Sequence, residues 1–265
     1  MIRDVERWNV HDDGFRLWWL GQSGFLLQWN GVHILLDPYL SDSLTKKYAN
    51  TDKPHIRMEP IVVEPARLGF VDVVTSSHNH TDHLDAETLG PLWGRPRMLI
   101  PELNRAFVAD RLRVEPGVLT GLGDGEKVEL AGVRFTGVMS AHEEPSPAYM
   151  GYVLEFGGWT VYHSGDTILY DGLTDRLRRF RIDMALLPIN GRGPERRVAG
   201  NLWGREAAQL AKDAGVKTVI PCHYNMFTFN TAPPDEFVAT CEAIGQGYHV
   251  MRTGERYCAP YRTLK

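Results

Sequence analysis

The N-terminal third of the chain alternates short apolar runs with turn signals. Leu17-Trp18-Trp19-Leu20 and Phe25-Leu26-Leu27-Gln28-Trp29 are strand-like, and Asn30-Gly31 supplies a favoured tight turn before Val32-His33-Ile34-Leu35-Leu36. Asp37-Pro38 ends that strand, because proline cannot donate to a ladder. Residues 41–69 are polar, proline-bearing and weakly periodic, which predicts a long loop near a site rather than a linker. Val71 to Thr75 reads as a short buried strand running into Ser76-Ser77, and Asp85 to Leu92 as a helix.

The middle of the chain repeats the hairpin grammar. Lys127–Leu130 and Val133–Val138 flank Ala131-Gly132, while Tyr152–Phe156 and Thr160–Tyr162 flank Gly157-Gly158. Strands and helices then alternate: a helix over Leu173–Phe180, a strand over Met184–Leu187, a helix over Trp203–Ala214, a strand over Lys217–Ile220 and a last helix over Asp235–Ile244. Two β-rich halves, each closing with strand–helix units, predict an α/β architecture: an αββα sandwich of two mixed sheets flanked by helices. No low-complexity tract or composition break divides the chain, so residues 1–265 are expected to form one domain.

Bulk properties narrow the function classes. A hydrophobic content of 43% over 265 residues supports a sizeable core. The formal net charge of −4 gives no global attraction for nucleic acid or an anionic membrane. Three cysteines (Cys222, Cys241, Cys258) without a CxxC pair argue against a disulfide framework or zinc knuckle. No stretch approaches the roughly 20 apolar residues of a membrane span, and the start has no hydrophobic leader pattern. A cytoplasmic protein acting on a small molecule is expected, with homo-oligomerisation left open.

Chemistry concentrates in His78-Asn79-His80-Thr81-Asp82-His83, directly after a buried strand. In extended chain His78 and His80 project the same way and can reach one cation, while Asp82 and His83 lie where the chain turns and can face a second. Neutral imidazole and carboxylate are ligands that zinc, manganese and iron accept. Two or three ligands per cation leave the coordination incomplete. His142, Asp166 in Tyr162-His163-Ser164-Gly165-Asp166-Thr167, and His223 after Val219-Ile220-Pro221-Cys222 each stand where an apolar strand stops.

In order and spacing, these motifs resemble those of the metallo-β-lactamase superfamily, as do Trp19-Leu20-Gly21-Gln22-Ser23-Gly24 and Leu36-Asp37-Pro38. Within it, Trp203–Ala208, Val219–Phe227 and Arg252–Tyr257 are similar to the branch that includes L-ascorbate-6-phosphate lactonase and related metal-dependent hydrolases. The resemblance implies two divalent metal ions, zinc or manganese first and iron as an alternative. His78, His80 and His142 would hold the first, Asp82, His83 and His223 the second, with Asp166 bridging. It further implies hydrolysis of a small anionic ester or lactone by a metal-bridging hydroxide, with Asp82 as the catalytic residue. The rivals are a phosphodiesterase, a di-iron redox enzyme and a non-catalytic metal-binding module. His80 stands where oxygen-reducing relatives carry a carboxylate, which disfavours the redox reading.

Other residues carry weaker expectations. His163 divides evenly between steadying a ligand and packing against the strand. Asp37 is read as a turn residue that could also steady the metal loop, and Cys222 as buried packing. His11, His33, His55 and His249 show no partner pattern and are read as non-functional. Arg192, Arg196 and Arg197 could grip a substrate phosphate or form a solvated face. Tyr224, Asn225 and the 41–69 segment are candidate pocket residues by adjacency.

Overall fold

The computed structural model describes residues 1–6 and 14–259, and His11 lies outside them. After a short helix α1 (Ile2–Glu6), strands β1 (Arg16–Gly21), β2 (Gly24–Trp29) and β3 (Val32–Leu36) form an antiparallel meander. Asn30 and Gly31 both take positive φ, 47° and 78°, as a two-residue hairpin turn requires. The 41–69 segment is not one loop. It holds α2 (Ser43–Lys47) and a 3₁₀ turn at Pro65–Leu68. With Leu44 as its one buried anchor, α2 is too short to show a helical stripe.

Next come β4 (Val73–Thr75) and α3 (Ala86–Leu89), whose N-cap Asp85 accepts from the backbone N–H groups of Glu87 and Thr88. The following β5 (Arg97–Pro101), α4 (Arg105–Leu112) and β6 (Leu119–Leu122) are not among the expected elements, although Met98-Leu99-Ile100 is an apolar run bounded by prolines. The hairpin series is β7 (Lys127–Leu130), β8 (Val133–Ala141), β9 (Pro145–Phe156) and β10 (Trp159–His163). Then α5 (Leu173–Arg178), β11 (Met184–Pro188), α6 (Gly204–Asp213), β12 (Thr218–Cys222) and α7 (Asp235–Ile244) alternate as expected, and β13 (Arg256–Cys258) follows.

Two mixed sheets with flanking helices result, as the αββα expectation required. One runs β13-β1-β2-β3-β4-β5-β6 and the other β12-β11-β10-β9-β8-β7. Each is an antiparallel meander on one side and parallel strands on the other. In β1 every residue is buried, because alternate side chains serve two cores. Leu17 and Trp19 join Phe25, Phe135, Tyr152 and Leu186 between the sheets. Trp18 and Leu20 join Leu26, Leu89 and Val108 beneath the outer helices. The late strand β13 pairs with β1, so the chain's two halves are not separate sheets.

Candidate metal centre

Four strands feed one site: β4 leads to His78–His83, β8 to His142, β10 to Asp166 and β12 to His223. Carboxyl ends of strands are where α/β sheets gather ligands, since the loops there are free of the ladder. Gly165 makes the β10 exit with φ 59°, and His223 itself adopts φ 61°.

All seven predicted residues come together. Candidate ligand atoms cluster within 4.8 Å in three groups: His78, His80 and His142; His78, His83 and Asp166; Asp82, His83 and His223. Asp166 lies between the groups: His83 Nε2 is 3.3 Å from its Oδ1, while His223 Nε2 and His142 Nε2 are 3.4 and 3.5 Å from its Oδ2. Asp82 Oδ2 is 3.3 Å from His223 Nε2, and His80 Nδ1 is 3.2 Å from His142 Nε2.

The histidines are aimed by their other nitrogen. His142 Nδ1–H donates to Gly200 O at 2.8 Å, and His83 Nδ1–H to Asp37 Oδ2 at 2.7 Å. Ser77 Oγ gives its proton to Asp37, which leaves it to accept from His78 Nδ1–H at 3.1 Å. Asp37 also accepts from the Ser77 backbone N–H and from Thr75 Oγ1. The turn reading of Asp37 was therefore too narrow: this fully buried carboxylate braces the His78–His83 loop as well as turning the chain at φ 38°.

Electrostatics divide the centre. Burial, reinforced by neighbouring imidazoles, pushes His78 well below the usual histidine range. Burial would also lower His223, but Asp166 and Asp82 outweigh it and hold that imidazole up, at about 9. Burial opposes ionisation of Asp82 and Asp166 as well, yet the surrounding histidines hold both carboxyls well below the usual carboxylate range. His78 Nε2, His83 Nε2 and Asp166 Oδ1 are buried without a hydrogen-bond partner. Unmatched buried donors and acceptors are costly, and three converging on one space fit a cation.

A family model described as a beta-lactamase superfamily domain matches residues 33–224. The chain belongs to the beta-lactamase superfamily. Relatives from Rubrobacter xylanophilus (29% identical, over 91% of this chain and 96% of theirs) and Methanosarcina mazei (28%, 91% and 96%) are named metal-dependent hydrolases. The fold is shared with a metallo hydrolase of Ignicoccus hospitalis (TM-score 0.69, 24% identity, 94% of this chain and 100% of that one). It is shared too with an isothiocyanate hydrolase from Delia radicum gut bacteria (TM-score 0.75, 17% identity, 91% and 98%).

In this superfamily member the centre opens on a cavity of about 630 Å³. Sequence reasoning missed Gln22, in the turn between β1 and β2, whose Nε2 donates to Asp82 Oδ2 at 2.9 Å. It also missed His55, which lines the cavity with its ring stacked on Tyr48 (centroids 4.5 Å apart) and its Nδ1–H bonded to Lys53 O. Gln22 does lie in the Trp19–Gly24 motif and His55 in the 41–69 stretch, but nothing in either stretch singles out the residue itself. His33 bonds Gln28 and edges Phe70, and His249 pairs with Glu255, both away from the cavity.

Other expectations resolve differently. His163 hydrogen-bonds none of the seven among the described residues: its Nε2 bonds Ser23 O and its ring edges Phe25, which is the packing alternative. Cys222 is buried in the core. Arg192 is engaged by both oxygens of Glu206, Arg196 by Asn190 O while lying over Trp203, and Arg197 by Asp52. Of the three, only Arg197 lines the main cavity. Tyr224 packs its ring at a tilt against Trp19 and donates to Met251 O, and neither it nor Asn225 lines the cavity. The 41–69 segment does reach it, through Leu44, Lys47, Tyr48, Lys53 and His55. No helix among the described residues is long and apolar enough to cross a membrane.

Proposed function

We propose that this chain is a metal-dependent hydrolase acting on a small anionic ester or lactone at a centre of two divalent ions, zinc or manganese. His78, His80 and His142 would hold one ion, Asp82, His83 and His223 the other, with Asp166 shared. The observation that carries this reading is Asp166, which stands within 3.3–3.5 Å of histidines from both groups. Bound there, such ions acidify water and polarise a substrate oxygen.

The chain's own groups then do the rest. Asp82 is the carboxylate best placed to hold and pass a proton, because it lines the cavity and its Oδ2 is fixed by the Gln22 amide. Gln22 keeps that oxygen turned toward His223. Asp37 and Gly200 O hold the imidazoles of His83 and His142 with Nε2 inward. The wall of Leu44, Tyr48 and Phe227 offers the non-reacting part of the substrate an apolar surface.

Elemental analysis of the purified protein, followed by a panel of lactones, carboxylic esters and phosphodiesters with each metal, tests the reading. Asp82→Ala should abolish turnover while the fold persists by circular dichroism. A metal content that never exceeds one ion per chain would remove the dinuclear centre, and turnover of phosphodiesters alone would replace the ester substrate.

A further inference from the structure

One wall of the cavity carries cations that the centre itself does not use. Arg111, from α4, donates through Nη1 to Asn79 O at 2.8 Å and through Nη2 to Thr81 Oγ1 at 3.0 Å. Lys47, the last residue of α2, brings Nζ to 3.5 Å from the same Thr81 oxygen. Among the described residues no carboxylate pairs with either cation. Two like charges thus converge on one neutral hydroxyl, on the wall of a cavity whose carboxylates, Asp82, Glu143 and Asp166, pair with neither, an arrangement that a bound anion would relieve. Arg111 takes one lone pair of the Thr81 hydroxyl and Lys47 lies at the outer limit of the other, and no acceptor for the hydroxyl's own proton is present among the described residues. Two cations and one O–H therefore face the cavity from the stretch between His80 and Asp82.

The geometry points to Lys47, Arg111 and Thr81 as the seat of a carboxylate or phosphate oxyanion on the non-reacting part of the substrate. This rests on the hydrolytic reading only in calling the bound molecule a substrate. The roles divide between the two cations. Arg111 is already committed to the backbone and hydroxyl of the metal loop, and so also positions that loop. Lys47 has the rotatable ammonium on a flexible stem and sets the preference for an anion. Of the 192–197 arginines, for which the sequence left a phosphate grip or a solvated face open, Arg192 pairs with Glu206 and Arg197 with Asp52, whereas no carboxylate pairs with Lys47 or Arg111 among the described residues.

Calorimetric binding of succinate and butyrate to the zinc-loaded protein tests this without turnover. The two acids share a carboxylate for the metal side, and only succinate has a second one for Lys47. Wild-type protein should bind succinate more tightly, and Lys47→Met should shrink the gap by about tenfold, the scale of one charge-assisted hydrogen bond. Lys47→Arg should keep most of the preference, and zinc content should match across the three proteins. Equal affinity for the two acids in the wild type, no binding of succinate, or an equal loss for both in Lys47→Met would overturn the anion seat. Succinate preference in a protein that turns over no ester would remove the hydrolytic reading and leave the seat standing.

Discussion

Asp37 shows how one buried side chain decides what its neighbours can do. Its two oxygens take up Thr75, the backbone and hydroxyl of Ser77, and His83. Removing it would free both the His83 ring and the Ser77 hydroxyl that aims His78. Asp37→Ala is expected to weaken metal binding by roughly 10–100-fold, the range found when the partner of a ligand imidazole is lost. A chelator-competition titration measures this. His163→Ala makes the informative contrast, since that ring is equally buried but bonds Ser23 O. It should cost about 2–4 kcal/mol of stability in denaturant unfolding, as deletion of a buried ring does, with metal affinity nearly unchanged. Equal effects of the two substitutions on metal affinity would show that Asp37 has no special hold on the centre.

Among the elements, the turns that end strands matter more to the site than the strands do. Gly165 leaves β10 at φ 59°, and a Cβ there would lie 2.4 Å from the Ser77 Cβ. Gly165→Ala should therefore cost more than about 1 kcal/mol from the backbone alone. It should also push Ser77 away from Asp37 and weaken metal binding, which thermal unfolding with and without zinc would detect. A variant that loses stability but binds zinc as the wild type does would separate the turn from the centre. The legibility of elements in the sequence follows the same physics. Asn30-Gly31 and Gly157-Gly158 bracket their strands with turn chemistry, so those hairpins could be read directly. The α4 helix could not. Its core-facing stripe is only Val108, Ala109 and Leu112, with Phe107 exposed beside them, too narrow to stand out as a helical period. With only three residues, none of them buried, β13 gives still less signal.

Across the whole molecule, the proposed metal motif was legible because four of its seven residues are neighbours in sequence and the others end apolar strands. Gln22, Arg111 and the pair Lys47 and His55 come from three separate segments, and only the topology makes them one cavity. The Gln22–His223 contact spans 201 residues. Within the proposed centre, His78, His80, Asp82 and His83 follow a strand of the seven-stranded sheet, while His142, Asp166 and His223 follow strands of the six-stranded one.

That division between the sheets sets the order of events when the chain folds. Neither sheet alone offers the full set of donors, so the metal can close its coordination only after the two faces have met. We predict that this cross-link forms on the native side of the barrier, where stabilisation absent from the transition state is expressed in the escape rate. Zinc should therefore leave the refolding limb of a denaturant chevron where it was and lower the unfolding limb, so that the loaded protein persists longer rather than forming faster. Stopped-flow mixing with and without zinc measures both limbs. Faster refolding in zinc would mean instead that the histidine loops find the ion while the sheets are still apart.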